Sequence, residues 1–187
     1  YKLQKQFDAL ESHPDIDICA HGAYTLPRKN IGFNKVISDR IFSASQVIAG
    51  GGGFVATASL MYRRELNEYI PNFRRFMPLD YTLQIQGALR GGMLYLSDRM
   101  CVYRICSSES SWSGQMKNTP FKFIEFNQKL KSMLEILDKE TNSAYNKVIM
   151  KQIYRADYKI LWLKQNYKAI RLDRELYKSL SLKEKVK

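Results

Sequence analysis

The sequence predicts an α/β core with a mixed sheet and flanking helices, followed by a helical C-terminal extension. Three observations carry that expectation. Short β-branched and aromatic runs alternate with helical patterns over the first 116 residues, in the order strand, strand, helix, strand, strand. From Phe121 onward turn signals become sparse and the apolar spacing becomes helical. The charge balance changes at the same place: residues 1–116 hold 13 basic and 10 acidic side chains, residues 117–187 hold 17 and 8. We therefore divide the 187 residues into 1–116 and 117–187.

The elements follow in order. Lys2 to Ser12 reads as a short amphipathic helix, with Leu3, Phe7 and Leu10 on one face, and Pro14 prevents its continuation. Ile16 to Leu26 reads as a strand and Pro27 to Asn34 as a polar loop. Ser43 or Ser45 can cap a short helix through Ala49, ahead of four glycines, Gly50 to Gly53. Phe54 to Tyr62 has the composition of a buried strand. Arg63 to Phe76 is helical in pattern, with an interruption at Pro71. A helix beginning at Asp80 runs to a stop at Gly91-Gly92. Met93 to Leu96 and Met100 to Ile105 read as two strands around the turn Ser97-Asp98-Arg99, and Ser107 to Gly114 as a serine-rich loop.

Composition removes several classes. With 45% apolar and 26% charged residues, the chain is neither disordered nor fibrous. Cys19, Cys101 and Cys106 are too few for a disulfide scaffold, which favours a reducing compartment. Ile41 to Tyr62 is free of charge for 22 residues, but the central glycines argue against a membrane-spanning helix. The net charge of +12 favours a phosphate-rich partner without choosing among lipid, nucleic acid and phosphorylated substrate.

Chemistry is sparsely signalled. Gly50 to Gly53 lacks the Lys-Ser/Thr of a phosphate-binding loop and the spacing of a dinucleotide fold. His13 and His21 have no metal-ligand spacing, and no serine lies in a nucleophile elbow. Asp80, at a loop-to-helix junction, has two competing readings: an N-terminal cap or a general base. Tyr145, Tyr154, Tyr158, Trp162 and Tyr167 recur near helical spacing among lysines. They fit the core of a helical hairpin, or an aromatic and basic face on anionic lipid.

Five segments resemble one family in order and spacing. They are Tyr1-Lys2-Leu3-Gln4-Lys5-Gln6, Cys19-Ala20-His21 with Tyr24, Gly53 to Leu66, Leu79-Asp80-Tyr81, and Val102 to Ser107 with Trp112-Ser113-Gly114. Together they are similar to the second half of bacterial family 2 glycosyltransferases of the GT-A fold. The resemblance covers residues 1 to about 116 and implies a partial GT-A-like sheet. It further implies transfer from a nucleotide-sugar donor to a glycan or lipid-linked acceptor, with inversion and with Asp80 as catalytic base. Substrate contacts would then fall to Thr57, Ser59, Arg104, Trp112 and Ser113. Arg104 could offer charge to the diphosphate, although an Arg on a strand beside a sheet edge is more often structural, and Trp112 can either stack on a sugar ring or anchor its loop.

The sequence departs from the family at two points. The nucleotide-binding half, with the Asp-x-Asp that holds Mg²⁺ or Mn²⁺, is absent from these residues. Cys106 stands where relatives carry a histidine, and a soft thiol suits neither cation, so no metal ligand is expected in this chain. The segment by itself is accordingly expected to be inactive. A cytoplasmic protein, in peripheral contact with the inner face of the membrane, is the expected setting. The rival expectation is a non-catalytic basic module that binds anionic membrane or nucleic acid. Nucleic acid is the weaker form of it, because no recognition fingerprint is present.

Overall fold

The computed structural model describes residues 1–26, 30–32, 36–105, 108, 111, 114–116 and 119–185. It is mixed α/β and falls into two compact units, residues 1–107 and 108–187. Among the described residues no helix is long and apolar enough to cross a membrane.

In the first unit, helix α1 (Lys2–Glu11) precedes strand β1 (Ile18–Leu26). The predicted apolar face of α1 is only partly used. Leu10 is buried, but Leu3 and Phe7 are 67% and 55% exposed. The helix instead turns Gln6 inward, where its amide Nε2–H donates to the Ser59 carbonyl at 2.8 Å. Part of the segment expected to be a polar loop is strand β2 (Asn30–Gly32), which pairs antiparallel with β1.

Strand β3 (Arg40–Phe42) leads into helix α2 (Ala44–Gly50). Ser43 caps α2 in a reciprocal box: its hydroxyl accepts from the Gln46 N–H, and its own N–H donates to Gln46 Oε1. The strand expected over Phe54 to Tyr62 shrinks to β4 (Met61–Tyr62), paired with Ile18 and Cys19. Ahead of it Thr57–Ser59 form a 3₁₀ turn, closed by the Ser59 hydroxyl donating to the Ala56 carbonyl at 2.6 Å. Small residues with a competing side-chain hydrogen bond favour that turn over an extended chain. The helix expected over Arg63 to Phe76 is likewise broken, into a 3₁₀ turn Arg64–Asn67 and helix α3 (Asn72–Phe76), with Pro71 as the break.

Helix α4 (Asp80–Ala88) then leads through Gly91 and Gly92, both at positive φ, into strand β5 (Met93–Arg104). The turn expected at Ser97-Asp98-Arg99 is instead part of one continuous strand. It is absorbed as a bulge opposite His21 and Gly22, where the β1–β5 register shifts. The Ser97 N–H and hydroxyl both donate to the Asp39 carboxylate, which satisfies the bulged backbone and holds Asp39 below its ordinary pKa. The sheet order is β2-β1-β5-β3, with β4 also on β1. Among the described residues only the central β1–β5 pair is parallel. Ile18, Ala20, Met93 and Tyr95 are buried in that pair.

The second unit is helical. Helices α5 (Pro120–Glu140) and α6 (Asn146–Leu163) bury Met133, Leu134, Leu137 and Ile149. An ion pair between Lys131 and Asp157 links them. The short helices α7 (Tyr167–Leu172), α8 (Arg174–Ser179) and α9 (Leu182–Lys185) follow. Ile170, Leu176 and Leu180 pack against Tyr154, Tyr158 and Leu161. Asn166 and Asp173 cap α7 and α8 through their side-chain oxygens.

Candidate active site around Asp80

Asp80 occupies the first turn of α4 and is half-buried. The cap position belongs to Leu79, whose N–H donates to Thr82 Oγ1 at 3.1 Å, so Asp80 is the first residue of the helix and not its cap. Asp80 Oδ1 accepts the Tyr81 N–H at 2.8 Å, and the Thr57 hydroxyl donates to Oδ2. An ionised carboxylate offers about four acceptor positions, so these two bonds orient it and leave capacity to accept a proton. The buried Tyr81 ring pins this end of α4, with its hydroxyl donating to the Ile48 carbonyl at 2.8 Å.

The 3₁₀ turn that presents Thr57 is held from behind by α1. Lys2 Nζ donates to the Ala58 carbonyl, and Gln6 donates to the Ser59 carbonyl. Ser59 itself is fully buried, its hydroxyl committed to Ala56, so it supports the turn while Thr57 is exposed beside Asp80. Three segments distant in sequence thus converge on one carboxylate: Lys2 and Gln6, Thr57 to Ser59, and Asp80 with Tyr81. Sequence reasoning assigns no site role to Lys2, Gln6 or Tyr81. Gln6 in particular looks like a solvent-facing residue until the rotation of α1 is known.

The glycine run borders the same place. Gly52 lies so that a Cβ would sit 3.8 Å from the Tyr81 Cβ, and a Cβ on Gly53 would meet nothing within 4 Å. Gly52 thus lies near Tyr81, the residue after Asp80, and the run presents no side chain there. A cleft of about 450 Å³ lies elsewhere in the unit, between α1 and β3, and Asp80 does not line it. Arg104 is exposed at the end of β5, opposite Leu26. Cys106, Trp112 and Ser113 lie outside the described residues.

Cys19 and His21, the β1 residues of the second motif, are buried. Burial pushes the Cys19 thiol up to about 11, so it is no nucleophile at neutral pH. Burial lowers the pKa of His21, and the positive charge of Lys2 adds to that. Its Nδ1–H donates to the Gly22 carbonyl at 2.8 Å, while Nε2 is buried without a hydrogen-bond partner. Protonating Nε2 would bury a charged donor with no acceptor. The unfolded chain then binds more protons than the folded one below the ordinary histidine pKa of about 6.5. Stability is expected to be full above that pH and to fall as the pH drops beneath it. Urea midpoints at pH 7.5 and 5.5 check this: the drop should shrink in His21→Gln, and an equal drop in both proteins excludes His21 as its source.

Among the described residues no group of three or more His, Cys, Asp or Glu side chains is placed to hold a metal ion. No protein-family model matches the chain, and no solved structure matches it. Uncharacterized proteins of Mycobacterium bovis and of two Mycobacterium tuberculosis strains are 32% identical to it over 107 residues. That stretch is 55% of this chain and 30% of each relative, so the chain spans less than a third of the curated relatives it matches.

Proposed function

We propose that the first unit is the acceptor-side, catalytic-base portion of an inverting glycosyltransferase with a GT-A-like fold. The observation that carries the reading is the contact between Thr57 and Asp80. It joins two segments that each resemble the family and lie 23 residues apart in sequence, and α1, a third such segment, supports it. The glycine run near Tyr81, which presents no side chain, fits the entry of a bulky acceptor next to Asp80. Relatives in which the matched stretch is only 30% of the chain have length enough for a donor-binding half.

In this reading the acceptor hydroxyl gives its proton to Asp80 as its oxygen bonds to the anomeric carbon. The bond from that carbon to the nucleoside diphosphate breaks on the opposite face, and the diphosphate leaves with the electron pair, which inverts the configuration. A divalent cation would neutralise the departing diphosphate. The part assigned to this chain is to orient the acceptor and to take its proton. The acceptor is a glycan or a lipid-linked sugar, and the basic second unit suits an enzyme working at the inner face of a membrane.

The test is release of nucleoside diphosphate from a panel of nucleotide sugars by the full-length polypeptide that contains this segment, with and without glycan and lipid-linked acceptors. Acceptor-dependent release is expected, with none from the 187-residue chain alone. Failure with every donor and acceptor pair overturns the reading. Gly53→Leu refines it. A Cβ there meets nothing within 4 Å, so the variant is expected to fold, which its melting midpoint checks, while an acceptor that passes the glycine run should show a KM raised about tenfold, the equivalent of about 1.4 kcal/mol. Unchanged acceptor kinetics would remove the glycine run from the site.

A further inference from the structure

The second unit holds an aromatic cleft that the proposed reaction does not use. Tyr158 and Trp162 lie one turn apart on α6, with ring centroids 5.9 Å apart. Tyr167, at the start of α7, meets Trp162 edge to face at 5.1 Å. Tyr177 of α8 and the side chains of Glu184 and Lys185 close the remaining sides. The Lys185 ammonium already sits in this cleft, 5.2 Å from the centre of the Tyr177 ring. With it in place only about 20 Å³ is open, room for about one water.

Several aromatic rings around one small space, beside a carboxylate, attract a weakly hydrated cation through the negative faces of the rings. The Glu184 carboxylate stays ionised: the Ser181 hydroxyl and N–H donate to it, and it lies near Arg155 and Lys159. Those two cations and Arg171, which also lines the cleft, make the surroundings basic. A simple cation is therefore poorly matched there, whereas a zwitterion is well matched. We infer that the cleft is an aromatic cage for a phosphocholine-type group, with the quaternary ammonium over the Tyr177 and Trp162 rings and the phosphate met by Arg171. Lys185 is its built-in competitor, which a ligand must displace. This inference is independent of Asp80, since it rests on the second unit alone.

The experiment follows the indole N–H resonance of Trp162 in the ¹⁵N-labelled 187-residue chain, assigned with Trp162→Phe, under matched ionic strength. Phosphocholine is expected to shift it saturably, and sodium phosphate is not. Lys185→Ala should tighten phosphocholine binding severalfold by removing the competitor. Tyr177→Leu should weaken it about fivefold to tenfold, and Tyr177→Phe, which keeps the ring face, should bind like the parent. Tyr177 is 36% exposed, and a melting midpoint equal to the parent's checks that each variant folds. An equal shift with phosphate alone, no saturable shift with phosphocholine, or weaker binding by Lys185→Ala would each overturn the cage. Phosphatidylcholine vesicles identify the natural source. Binding that soluble phosphocholine reverses supports a lipid headgroup, and binding confined to soluble phosphocholine supports a free ligand of the same chemistry.

Discussion

Asp80→Asn in the full-length polypeptide is expected to lower kcat for sugar transfer by about 10²- to 10⁴-fold, the range that a positioned general base contributes. The substitution is nearly isosteric. The carbonyl oxygen of the introduced amide can still accept the Tyr81 N–H, and the Thr57 hydroxyl can reverse its role to accept from the new amide N–H. Folding and donor KM should therefore stay where they are, which confines the loss to the proton-accepting step. Thr57→Val supplies the graded control. It removes one orienting bond while leaving the carboxylate, so kcat should fall by about tenfold, the worth of a hydrogen bond to a charged group. Full activity in Asp80→Asn would take Asp80 out of the mechanism. A large drop in melting temperature would instead make its bonds to Thr57 and Tyr81 a structural clasp.

The residues that converge on Asp80 show which features a sequence can disclose. The place of Asp80 at a loop-to-helix junction is legible, because a loop, a carboxylate and a helical pattern meet there, and so is a serine cap of α2. The Thr57 turn was not. Val55, Ala56, Thr57 and Ala58 read as a strand, since small and β-branched residues satisfy both a buried strand and a tight turn. The Ser59 side-chain bond that selects the turn leaves no periodic trace. Gln6 was hidden for a related reason. The spacing of Leu3, Phe7 and Leu10 marks an apolar face, yet the partner that draws Gln6 inward is the carbonyl of a residue 53 positions away. The continuous β5 was missed because Ser97-Asp98-Arg99 has turn chemistry, and only the Asp39 carboxylate, on a different segment, makes the bulge satisfiable. For Gln6 and β5 a long-range hydrogen bond overrode a local preference, whereas for the Thr57 turn a local side-chain bond competed with the extended chain.

The glycines after α4 present the strongest structural expectation, and the chain tests it internally. Gly91 and Gly92 sit at φ values of +70° and +95°, where a side chain is strained. Position adds to conformation. A Cβ on Gly91 would press into the carbonyl oxygen of Asp15, and one on Gly92 would lie 2.6 Å from that of Phe42. Neither neighbour can swing aside as a flexible side chain would, because both are backbone: Asp15 just ahead of β1 and Phe42 within β3. Gly91→Ala therefore carries about 1–2 kcal/mol for left-handed geometry and about 1–3 kcal/mol for the forced displacement. A domain of this size has only about 5–15 kcal/mol in total, so a melting midpoint lower by at least about 10 °C is expected. Gly53→Ala is the matched control, since a Cβ there meets nothing within 4 Å and its φ lies outside the left-handed region. If both substitutions melt alike, the tight junction between α4 and β5 is absent. If Gly91→Ala alone collapses, this two-glycine hinge fixes how α4 lies on the sheet, and with it where Asp80 is held.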